Sequence, residues 1–118
     1  MTDRFQRDLL RGSLDLMVLS VLGDEPKYGY LIQKEIRDAS GGRVEMKAGT
    51  LYPLLHRLEA EKLIRSKWDD STGRKRKWYL LTAAGRRRLS QHAADWHSYA
   101  GCITRLLEPV RKLLPKTT

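Results

Sequence analysis

Four consecutive cations, Arg74, Lys75, Arg76 and Lys77, run directly into Trp78 and Tyr79. Earlier in the chain, Thr50, Tyr52, Pro53, His56 and Arg57 recur at spacings that share the outer side of a helix. Neither group has the makings of acid–base or nucleophilic chemistry. Cations interleaved with aromatic rings suit a polyanion: the charges meet anionic oxygens while the rings pack on flat apolar faces. The helix face beside Gly49, Pro53, His56 and Ala60 is small and only mildly basic, which fits a helix that must lie close to another surface.

Composition agrees with a polyanionic partner. The 118 residues carry 23 Lys and Arg against 14 Asp and Glu, a formal net charge of +9. No carboxylate occurs between Ser71 and Ala94, a stretch that also holds Arg86, Arg87 and Arg88. Clustering of this kind favours nucleic acid first and an anionic membrane surface second; a merely solvated surface is the plain alternative. Catalytic and metal readings find little support. His56, His92 and His97 are far apart or wrongly phased for a ligand set, and Cys102 has no histidine at helical spacing. No cofactor and no metal are expected. A single cysteine and the lack of a long apolar run predict a cytoplasmic chain with no membrane span.

The elements that must position these residues follow from periodicity. Ser13 is a candidate N-cap for an apolar helix over Leu14 to Leu22 (LDLMVLSVL), ended by Gly23-Asp24-Glu25-Pro26. That helix is apolar almost all round, so one side can face its own domain and the other a partner. Leu14 and Val18 are assigned to the partner side. Tyr28 to Ala39 reads as a second helix, stopped by Ser40-Gly41-Gly42. In the third, Leu51, Leu54, Leu55 and Leu58 form the inner stripe. Pro53 is expected in its first turn, which places the start near Gly49 or Thr50, with Thr50 as cap. Ile64 to Trp68 and Lys75 to Leu81 alternate around an Asp70–Gly73 turn and predict a hairpin, with Tyr79 and Leu81 facing inward. Residues 1–12 read as an arm or lead-in.

Thr82 can cap a last helix on which Leu89, Ala93, Trp96, Ala100, Ile103, Leu107, Val110 and Leu114 alternate at spacings of four and three. Residues 83–108 would extend about 39 Å at 1.5 Å per residue. A helix of that length protrudes from a domain this small, and its seam needs a cover; a second copy of the chain is the simplest. Pro109 kinks or ends it. The expected fold is therefore mainly α with a small β-hairpin wing: a winged helix-turn-helix over residues 1–82 and a C-terminal dimerisation helix and tail over 83–118.

At this point the residues resemble a known family. LLRGSLDLMVLSVL (Leu9 to Leu22), YGYLIQKEI (Tyr28 to Ile36), GTLYPLLHRLEAEKLI (Gly49 to Ile64) and GRKRKWYLLTAAGRRRL (Gly73 to Leu89) resemble PadR-family transcriptional regulators of the short type. The resemblance implies a sequence-specific, homodimeric repressor on double-stranded DNA. A two-fold dimer matches a palindromic operator. On this reading the third helix brings Thr50, Tyr52, Pro53, His56 and Arg57 to the major groove. Lys47 and Tyr28 meet phosphate, and Arg74 to Lys77 form the wing contact. Alternatives stay open: Tyr28 and Tyr52 also suit packing, Arg57 a solvated charge, and Arg74 to Lys77 a hairpin kept soluble by its charge. Arg86 to Arg88 suit a phosphate or a solvated face equally. Leu14, Val18, Leu89, Ala93, Trp96, Ala100, Ile103 and Leu107 are the expected dimer interface. Some short PadR-type proteins bind flat aromatic drugs between paired tryptophans, which makes Trp96 a candidate for a planar aromatic effector; a core ring filling its own gap is the alternative. Two other classes remain: a coiled-coil adaptor whose basic surface is incidental, and an RNA-binding winged helix, which the narrow major groove of duplex RNA disfavours.

Overall fold

The computed structural model describes residues 12–113. The elements are α1 (Leu14–Val21), β1 (Lys27–Tyr28), α2 (Gly29–Ala39), α3 (Ala48–Ala60), β2 (Ile64–Asp69), β3 (Arg76–Leu81) and α4 (Ala83–Leu107), then a 3-10 segment, Glu108–Leu113. The strands form one antiparallel sheet in the order β1-β3-β2. Its register pairs Ile64 with Leu81 and Asp69 with Arg76 in the hairpin, and Tyr28 with Trp78 at the other edge. The protein is a winged helix with a long C-terminal helix. The expected N-terminal arm and Leu114 lie outside the described residues.

The core forms where the helical stripes converge. Leu51, Leu54, Leu55 and Leu58 of α3 are buried against Ile32 and Ile36 of α2, Val18 and Leu19 of α1, and Ile64, Tyr79 and Leu81 of the sheet. Burying a leucine of this kind stabilises the fold by about 1.5–3 kcal/mol. The connection 43–47 contributes Val44 and Met46, and Gln33 holds it by donating from Nε2 to the Met46 carbonyl at 2.9 Å.

Several expectations need correction. Val18, assigned to the dimer interface, is 0% exposed and belongs to the chain's own core. Leu14 and Leu89 pack against that core too but keep part of their surface open, which leaves their assignment to the interface as it was. An all-round apolar helix does not reveal which of its sides the domain itself will cover. Tyr28 belongs to a short strand, and the second helix begins at Gly29. The third helix begins at Ala48 with Lys47 in the capping position and no side-chain cap, so Thr50 is not the N-cap. Pro53 therefore sits in the second turn, where its missing amide leaves the Gly49 carbonyl without its helical partner. Ser13 precedes α1 but makes no capping hydrogen bond. At the far end the α-helix ends at Leu107, while Glu108 keeps helical angles (φ −54°, ψ −47°). Pro109 lies in the 3-10 segment, and Val110 has non-helical angles (φ −113°, ψ 17°).

The junction between α3 and α4 is built on backbone. Lys62 closes α3 with a left-handed conformation (φ 64°), and the Leu63 amide donates back to the Leu58 carbonyl at 3.0 Å. Thr82 then docks on this turn. Its amide donates to the Leu63 carbonyl at 3.1 Å, and its hydroxyl donates to the Lys62 carbonyl at 2.7 Å. The same Oγ1 accepts from the Gly85 amide at 3.0 Å, the expected N-cap of α4. From here α4 runs for 25 residues. The radius of gyration is 16.6 Å, against about 13 Å for a compact domain of roughly this length. The C-terminal half of α4 carries the exposed Tyr99, Ile103, Leu106 and Leu107.

Candidate nucleic-acid interface

The wing and α3 meet across a cleft of about 790 Å³, lined by Tyr28, Gly29, Tyr30, Tyr52, His56, Trp68, Arg74, Lys75, Arg76, Lys77 and Tyr79. Each wall has a local cause. On α3, the buried leucine stripe turns Tyr52 and His56 outward. On the sheet, alternation places Ile64, Ser66 and Trp68 of β2 on the face that looks toward α3, opposite Leu81, Tyr79 and Lys77 of β3. Ser66 fixes the distance between the walls by donating to a Glu59 carboxylate oxygen at 2.6 Å. Tyr79 forms the floor. Burial, with the neighbouring Tyr52 and Glu59, pushes its hydroxyl above the usual phenol range, so it stays a neutral donor.

The basic side chains are held in place by rings. The Arg76 guanidinium lies over Tyr28, 4.5 Å from the ring centroid, and Tyr28 meets Trp78 edge-to-face at 5.0 Å. The Lys77 ammonium is 5.6 Å from the Tyr79 ring. The hairpin tip is ordered by Asp69, which accepts from the Ser71 amide at 2.9 Å and from its hydroxyl at 3.2 Å. Those bonds hold the Asp69 carboxyl below the usual carboxylate range. The acid at the base of the tip is thus occupied, and Arg74 and Lys75 stand exposed beyond it.

The structure brings seven of the expected contact residues to one cleft: Tyr28, Tyr52, His56, Arg74, Lys75, Arg76 and Lys77. Lys47, Thr50 and Pro53 are exposed on and just before the first half of α3 but do not line it. Arg57 points elsewhere. Its guanidinium pairs with Asp15 of α1 at 2.6 Å and with Glu61 at 3.1 Å, and stays half exposed. Sequence reasoning missed Gly29, Tyr30, Trp68 and Tyr79. Of these, Trp68 and Tyr79 carried a usable signal, rings set among the cations of the basic hairpin.

A second concavity of about 570 Å³ lies on the other side of the domain. Leu16, Met17 and Val21 of α1, Ile36 of α2 and Val44 line it, with Trp96 of α4 at its edge. Trp96 is 45% exposed and meets His97 edge-to-face. Ala93 and Ala100 are half-buried, while Ile103 and Leu107 are exposed on the protruding part of α4. Among the described residues, no helix is long and apolar enough to cross a membrane.

Comparison with known proteins agrees with this geometry. A family model for the transcriptional regulator PadR-like family matches residues 18–91. A transcriptional regulator from Mycobacterium tuberculosis is 38% identical over 85 residues, 72% of this chain and 77% of its own. A solved PadR family transcriptional regulator from Eggerthella lenta is 40% identical, with a TM-score of 0.75 over 86% of this chain and 87% of that one. A transcriptional regulator from Clostridium thermocellum is 32% identical, with a TM-score of 0.76 over 83% of this chain and 96% of that one. The chain belongs to the PadR-like family and is a DNA-binding transcriptional regulator.

Proposed function

We propose that the protein is a cytoplasmic homodimeric repressor that binds a palindromic operator. The observation that carries this reading is the cleft in which the outward residues of α3 and the basic wing face one another. With α3 in a major groove, Tyr52, His56, Thr50 and Pro53 reach base edges, and Lys47 meets phosphate ahead of the helix. Arg74 to Lys77 then reach the adjacent minor groove and backbone, and Tyr28 supports them through Arg76. Arg57 is left out of this set because two carboxylates already hold it.

Residues 83–118 serve dimerisation and residues 1–82 DNA binding. Support comes from the apolar side chains that α4 leaves exposed, Trp96, Ile103 and Leu107, and from the apolar concavity over Met17 and Val21. A second copy of α4 covers both at once. In such a dimer, Trp96 with its small neighbours Ala93 and Ala100 borders a space suited to a planar aromatic effector. The test is mobility shift on the DNA upstream of the gene. A sequence-selective shift lost in Tyr52→Ala and released by a planar aromatic compound is expected. A shift equal on all sequences, or a stable complex with another chain and no DNA footprint, overturns the reading.

A further inference from the structure

The structure assigns a contact to Trp68: we propose that its indole, flanked by Lys75 and Lys77, packs on the sugar–phosphate backbone that crosses the cleft between α3 and the wing. This rests on the DNA-binding reading above and adds a residue and a ligand chemistry to it.

Trp68 is 60% exposed on a six-residue strand. The strand's inner face passes from Ile64, which is buried, through Ser66, tied to Glu59, to Trp68. It thus carries the core surface out past α3 and ends on an indole in the open cleft. Across the hairpin, Trp68 is in register with Lys77. The Lys75 ammonium lies 5.1 Å from the indole centroid and that of Lys77 6.0 Å. Both ammonium groups lie over the indole, so the ring's open surface can meet a deoxyribose while the lysines reach the phosphates beside it. The ring covers sugar C–H groups, its N–H can donate to a phosphate oxygen, and the lysines neutralise the charges.

The position selects backbone over bases. When a helix lies in the major groove and a wing reaches the neighbouring minor groove, one strand's backbone separates them. Trp68 faces that gap, together with Tyr52 and His56 on the opposite wall. A contact of this kind carries no sequence information, and an uncharged ring releases no counterion.

The experiment is fluorescence anisotropy of the full-length protein on a labelled random-sequence duplex of roughly 30 base pairs and on the upstream DNA, over a range of salt. Trp68→Ala is expected to weaken both duplexes about tenfold with an unchanged salt slope, while Lys77→Gln lowers the slope by about one. Trp68→Phe, which keeps a flat ring and guards against a folding defect in the alanine variant, should lie between wild type and Trp68→Ala. Quenching by DNA should be larger for wild type than for Trp68→Phe. Random-duplex affinity of Trp68→Ala within twofold of wild type, or a loss confined to one sequence, overturns the assignment. Wild type binding both duplexes equally overturns the repressor reading instead and leaves the Trp68 comparison standing.

Discussion

The Tyr52 hydroxyl lies directly over Gly29, so close that a β-carbon at that glycine would overlap both the oxygen and the ring carbon that bears it. Gly29 opens α2 and Tyr52 stands on the outward face of α3. The absent side chain on one helix thus sets the direction of Tyr52, the residue proposed to reach DNA, on the other. Gly29→Ala is expected to swing Tyr52 away and weaken operator binding about tenfold, the scale of one lost contact. Stability should change little, since Tyr52 is 40% exposed and its ring can rotate away from the new methyl group. Adding Tyr52→Phe removes the nearer of the two overlapping atoms and should restore part of the lost affinity. Anisotropy titration together with thermal denaturation checks this; a fall in stability matching the loss of binding would assign Gly29 to packing alone.

Arg57 ties α3 to α1 through Asp15, and both side chains remain partly open to solvent. Pairs of this sort are worth at most about 1 kcal/mol. Asp15→Asn should therefore cost little stability. It also removes a negative charge beside α3 and releases one arm of the guanidinium. The expected result is tighter duplex binding at low salt, fading as salt rises. Unchanged affinity at low salt would place Arg57 beyond reach of DNA in either state.

Much of the architecture was legible because it rests on local pattern. The stripe Leu51, Leu54, Leu55, Leu58, the inward pair Tyr79 and Leu81, and the Thr82 cap each show in a few neighbouring residues. What escaped was tertiary. A two-residue strand, Lys27–Tyr28, has no periodicity to detect and exists only because β3 offers an edge. Val18 sits on a helix apolar on every side, so its burial depends on which elements arrive to cover it. The Arg57–Asp15 pair joins residues far apart in sequence, so spacing alone does not announce it. The Gly29–Tyr52 contact joins two helices whose crossing no single stretch encodes.

The α3–α4 junction supplies a paired prediction. A β-carbon on Gly85 would overlap the Leu63 carbonyl. Its obstacle is backbone, which cannot rotate away as a side chain can. Gly85→Ala is expected to destabilise by about 1–3 kcal/mol, toward the upper end. Thr82→Ala loses the cap and the bond to Lys62, about 1 kcal/mol, and Thr82→Ser should recover most of it. Urea denaturation separates the variants. Equal stability for Gly85→Ala and wild type would show that α4 can shift freely on this turn.

Lys27 makes the last prediction, because it is a lysine only 1% exposed. Its ammonium donates to the Val21 carbonyl at 2.7 Å and to Asp24 at 2.6 Å, with Glu35 at 3.5 Å. Burial alone would push its pKa down. The bond to Asp24 and the charges of Glu35 and Asp24 outweigh burial and hold it above the ordinary lysine value. A raised folded pKa means the stabilisation is complete below the unfolded pKa and is lost as pH climbs through the folded one. Lys27→Met fills the same space without the charge, leaving the Val21 carbonyl without this donor, at a cost of about 1–3 kcal/mol near neutrality. The gap between wild type and Lys27→Met in urea should therefore be widest near pH ~7 and narrow toward pH ~11. On the acid side, Asp24 is held below its usual value mainly by the Lys27 hydrogen bond. Its share of the gap is present above the unfolded carboxylate pKa and disappears as pH falls through the lowered one. A gap that stays constant from neutral to alkaline pH would mean that Lys27 acts through its aliphatic stem and not its charge.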